Sequence, residues 1–75
     1  MPAAPTPEPQ VGQIWREVDP RRERFVRIEH IGLDVGIRTV VRDGNLWFPA
    51  SGSRLSDAAS ERFNGKRGGY EFVEA

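Results

Sequence analysis

The chain contains no cysteine, which rules out a disulfide framework or a thiolate zinc site as a source of stability. That absence fits a reducing compartment. No apolar run approaches the length needed to span a bilayer. The opening MPAAPTPEPQ lacks the basic start and apolar stretch of a secretory signal. The expectation is therefore a soluble, cytoplasmic protein with no membrane partner. Histidine occurs once, as His30, and lysine once, as Lys66. Internal repeats are absent. With 75 residues, the chain makes one small domain that buries only about 60% of its unfolded surface, leaving little material to wall a deep active site.

A charge of one sign is also missing. Eleven basic and eleven acidic side chains cancel, so no overall field draws the protein to nucleic acid. The basic set is almost entirely arginine, whose planar fork binds carboxylate, phosphate or base edges and stacks on aromatic rings. A GC-rich genome accounts for the abundance of arginine but not for its placement. Seven of the ten arginines fall between Arg16 and Arg42.

Residues 1–9 carry Pro2, Pro5, Pro7 and Pro9 and offer little to bury, so they read as a disordered arm, with the folded domain over 10–75. In Gln13–Val18 the residues Ile14, Arg16 and Val18 alternate with Trp15 and Glu17, as in a strand, which Asp19-Pro20 ends. Arg24–Ile31 is a second strand, with Val26 and Ile28 on one face and Phe25, Arg27 and Glu29 on the other. Ile31 is one position out of phase with Val26 and Ile28, the slip that a β-bulge repairs. After a turn around Asp34 comes the β-branched run Ile37–Arg42. Asp43-Gly44-Asn45 is a strong hairpin signal before Leu46-Trp47-Phe48. Ser56 can cap a helix of about two turns whose apolar stripe is Leu55, Ala59 and Phe63 and whose stop is Asn64-Gly65. Tyr70–Val73 supplies a final strand.

This succession predicts a mainly β fold, a small half-open barrel of about five strands with one short helix before the last, and a two-layer α+β domain is the alternative. Ile14, Val26, Ile28, Val41 and Phe72 are the expected core. The segments Val11-Gly12-Gln13-Ile14-Trp15-Arg16, Asp19-Pro20-Arg21, Arg62-Phe63 and Gly69–Val73 resemble small uncharacterised phage and prophage proteins of the pattern GQIWR…DPR…RF…GYxxV. That resemblance implies an SH3-like barrel and assigns no function. It is weakest at Leu46-Trp47-Phe48-Pro49, where such proteins carry a strand rich in threonine and arginine. MazF-like endoribonuclease toxins are similar in the Ile-Trp and Asp-Pro of the first strand and its turn, but the likeness ends after Arg22 and brings no Ser/Thr-bearing loop.

No residue pattern specifies catalysis, a cofactor or a metal. His30 lacks an orienting partner in the sequence, and Asp19, Asp34 and Asp43 lie in turns, where aspartate bonds its own backbone. The expected role is a non-enzymatic binding module for a protein partner, through Trp15, Arg16, Arg27, Arg38, Arg42 and Trp47. Binding of nucleic acid is the alternative, and a MazF-like ribonuclease is a third reading. If Phe25 and Arg27 share a face with Arg38, Val40 and Arg42, the result is a cationic surface with apolar patches. Glu17, Glu23 and Glu29 stand ready to neutralise it through cross-strand pairs.

Overall fold

The computed structural model describes residues 6–21 and 23–75. Among them six strands form one antiparallel sheet: β1 (Ile14–Glu17), β2 (Phe25–Ile31), β3 (Val35–Asp43), β4 (Leu46–Pro49), β5 (Ser56–Ala58) and β6 (Tyr70–Glu74). The order is β4-β3-β2-β1-β6, and β5 also pairs with β3. Strands β4 and β6 end this order without pairing with each other. The long β3 serves two neighbours on one side, because residues 40–43 pair with β4 and residues 35–37 with β5.

Two local signals act as the sequence suggests. In the β3–β4 hairpin, Asp43 pairs with Leu46 across Gly44-Asn45. Gly44 has φ +64° and Asn45 has no positive φ, the pattern of a type II′ turn. In the β2–β3 ladder, Ile28 pairs with Ile37 and His30 with Gly36, so Glu29 is the extra residue of a bulge.

The expected two-turn helix is replaced by an extended segment. Ser56–Ala58 is β5, and only Ser60–Arg62 turns, as a single 3-10 turn. A helix here would leave residues 35–37 of β3 with an unpaired edge, and two isolated turns are marginal without tertiary support. Pairing Val35 with Ala58 and Ile37 with Ser56 satisfies that edge. The apolar stripe consequently divides, with Phe63 buried and Leu55 exposed.

The main core joins Trp15, Val26, Ile28, Val35, Ile37, Ala58, Phe63 and Tyr70. Trp15 meets Phe63 edge to face at 5.0 Å between centroids, and Phe63 stacks on Tyr70 at 4.9 Å. Ile14, Val26 and Ile28 are buried as expected, whereas Val41 and Phe72 are not. Val41 has the core parity but lies beyond the last β2–β3 pair, Phe25 with Val40, so nothing on β2 covers it. Phe72 stands on the edge strand β6, with its ring 5.6 Å from that of Trp15. Val40 and Ile14 are buried on the opposite side of the sheet from Trp15.

Of the expected arm, residues 1–5 lie outside the described ones. Farther along, the Gln13 side chain donates to the Glu8 carbonyl at 3.1 Å and accepts from the Gln10 N–H at 2.8 Å. The same carbonyl oxygen of Gln13 accepts the Trp15 indole N–H at 3.0 Å.

Candidate interaction surface

The register assembles one face from four strands. Arg16 pairs with Phe25, Phe25 with Val40, Arg27 with Arg38, and Arg42 with Trp47. Directly opposed residues of an antiparallel pair project to the same side. Arg16, Phe25, Arg27, Arg38, Arg42 and Trp47 therefore lie together, over the buried Ile14 and Val40. Five of the six residues singled out in the sequence meet here. Trp15 does not: it is fully buried on the other face, so it is a core residue and no platform for a partner. Alternation alone separates Trp15 from Ile14 but cannot reveal that both faces are covered at this point.

Electrostatics on this face are largely internal. The Glu29 carboxylate, raised on the bulge, accepts from Arg27 at 3.2 Å and from Arg38 at 3.1 Å. Without it, Arg27 and Arg38 would be like charges directly opposed. Arg38 also donates to the Ser53 carbonyl at 3.3 Å. Arg16 pairs with Glu71 across β1 and β6. Arg42 has a different environment. Its Nε donates to the Gly44 carbonyl at 2.9 Å, and its guanidinium lies 5.8 Å from the Trp47 ring centroid. That distance is within the range of a cation–π contact. The Trp47 ring is in turn 5.0 Å from Phe25, and its indole N–H donates to Glu74 at the far edge of the sheet.

The acids expected to neutralise the face behave unequally. Glu29 does so, and Glu71, which sequence reasoning missed, pairs with Arg16. Only the tertiary pairing of the two chain ends brings Glu71 beside Arg16. Glu17 is buried on the core side, 3.3 Å from Arg24 and 3.9 Å from Arg62. Arg24 donates to the Tyr70 hydroxyl at 3.0 Å, and Arg62 lies 4.8 Å over the Tyr70 ring. This polar cluster ties β1, β6 and the 3-10 turn together at one end of the sheet.

His30 is exposed beside the bulge, packed so close to Gly32 that a Cβ there would come within 2.8 Å of its ring. Asp19 accepts the Arg21 backbone N–H at 2.9 Å, an Asx turn. Among the described residues no helix is long and apolar enough to cross a membrane. Comparison of the chain with protein-family models, curated proteins and solved structures gives no match.

Proposed function

We propose that this domain is an SH3-like half-open barrel acting as a non-enzymatic binding module, and that the face around Trp47 receives a protein partner. The observation that carries this reading is the assembly of Arg16, Arg27, Arg38, Arg42, Phe25 and Trp47 on one face by the strand register. Tryptophan and arginine dominate the energetics of protein interfaces because they combine large contact area with directional hydrogen bonds. The barrel reading draws on the side-chain bond between Trp47 of β4 and Glu74 of β6, which links the two ends of the sheet order. A protein suits this face better than nucleic acid because Glu29, Glu71 and Glu74 stand among its arginines. Partner carboxylates exchange with such half-exposed ion pairs at little cost, since each contributes little by itself.

The test is affinity capture from a host lysate with and without nuclease, comparing the parent with Arg38→Glu/Arg42→Glu. The expected outcome is a protein band that survives nuclease and disappears in the reversed variant, whose circular dichroism stays that of the parent. A band lost on nuclease treatment would instead identify nucleic acid as the ligand.

A further inference from the structure

A second feature lies where the face turns over the end of the sheet. Two adjoining concavities of about 330 and 370 Å³ share Val18, Asp19, Pro20 and Arg67 in their linings. One extends to Arg21 and Gly68 and the other to Arg16, so they form one groove. Its two sides are held in place by backbone bonds. The Val18 N–H donates to the Gly69 carbonyl at 2.9 Å, and the Gly68 N–H returns to the Val18 carbonyl at 2.9 Å. Gly68 adopts φ +86°, which lets the loop bend back onto residue 18.

Among the described residues three arginines line this groove, and two of them already hold a carboxylate, Arg16 that of Glu71 and Arg21 that of Asp19. Among the described residues Arg67 makes no hydrogen bond or ion pair. Between the charges the surface is apolar, from Val18 and Pro20. We propose that the groove receives an extended acidic peptide segment of a protein partner, with a carboxylate on Arg67, a second near Arg16, and an apolar side chain on Val18 and Pro20. In an extended peptide, residues i, i+2 and i+4 share one side at steps of about 6.6 Å, so an apolar side chain can sit between two carboxylates. Such a chain brings charge only where the arginines are. A nucleic-acid strand brings a phosphate at every nucleotide and would set some of them against Asp19, which lines the groove, and Glu71, which pairs with Arg16. The proposal deepens the protein-binding reading and rests on it, since Arg16 belongs both to the groove and to the arginine and aromatic face.

The experiment is a titration of the ¹⁵N-labelled full chain with a short fluorescein-labelled peptide of the pattern Glu-Ser-Val-Ser-Glu, whose glutamates and valine share one side when extended, followed by anisotropy and by amide shifts. Saturable binding at low salt is expected, with shifts confined to residues 16–21 and 66–69. Arg67→Glu should weaken it about tenfold, the size of one lost charge-assisted bond. Arg54→Glu should leave it within about twofold, because that exposed side chain lies outside both the groove and the arginine and aromatic face. Equal binding of the glutamine-for-glutamate peptide, or absence of binding, overturns the proposal. So does tighter occupation of the same amides by a short single-stranded RNA. Binding that shifts only amides around Arg27, Arg38 and Trp47 overturns the groove while upholding the arginine and aromatic face, so the two readings fail separately.

Discussion

The indole N–H of Trp15 is buried with its ring, and a buried donor left without an acceptor costs about 1–3 kcal/mol. Gln13 supplies that acceptor at 3.0 Å and anchors Glu8 and Gln10 with the rest of its carboxamide. Gln13→Ala is therefore expected to destabilise by about 1–3 kcal/mol. In a double-mutant cycle with Trp15→Phe the two losses should fall well short of adding, because phenylalanine has no donor to strand. Fully additive losses in urea unfolding would show that the bond is immaterial. Gly69 is constrained by space. A Cβ there would come within 2.2 Å of the Arg62 carbonyl oxygen, which is backbone and cannot swing aside. Gly69→Ala should lower the melting temperature more than Gly12→Ala does, although Gly12 has φ +95°, since nothing lies within 4 Å of a Cβ at that position. Ile28 is completely buried in the main cluster, opposite Ile37, and Ile28→Ala should cost about 2–5 kcal/mol in the same assay.

At the scale of elements, the bulge in β2 has two consequences. It restores the phase of the strand after Ile28, and it raises Glu29 between Arg27 and Arg38, which the register places directly opposite each other. Glu29→Gln keeps the shape but removes the charge that separates them. Like charges directly opposed in a sheet cost up to about 1 kcal/mol, and salt screens them. The variant should lose about 0.5–1 kcal/mol at low ionic strength and recover most of it at high salt. A loss independent of salt would mean that Glu29 acts through geometry alone. The β5 strand shows the reverse case, in which local preference yields. Ser56, Asp57 and Ala58 suit the start of a helix, yet the unpaired edge of β3 at residues 35–37 recruits them into the sheet.

For the whole molecule, charge is the governing quantity. The chain is neutral overall, and its clustered arginines are matched by Glu29, Glu71, Asp19 and Glu17. Affinity for nucleic acid comes mostly from phosphate contacts and falls with salt by about one unit of slope for each contact. Titration with single- and double-stranded oligonucleotides at low salt should accordingly show weak binding with a shallow salt slope. Tight binding that vanishes in Arg27→Glu/Arg38→Glu would reverse the preference for a protein partner. Removal of residues 1–9 breaks the bond from Gln13 to the Glu8 carbonyl, which water can replace. The melting temperature should fall by no more than about 4 °C, the shift that corresponds to less than 1 kcal/mol in a domain of this size.

Local chemistry decided much of this protein. The bulge at Glu29 follows from a one-residue slip between Ile28 and Ile31, because side chains alternate strictly along a strand. The turn at Gly44-Asn45 follows from the positive φ that glycine accepts. The grouping of Arg27 and Arg38 with Phe25 and Val40 was legible as alternation within each strand, since period and face are properties of a short segment. Which strands are covered on both sides is a property of the assembled sheet. That is why Trp15 and Ile14 are both buried, and why Val40 is sheltered while Val41 is exposed. The pairing of Arg16 with Glu71, and the closing of residues 66–69 onto Val18, depend on contacts between distant parts of the chain. Tertiary structure alone makes them, because no local pattern records which distant residues a folded sheet will set side by side.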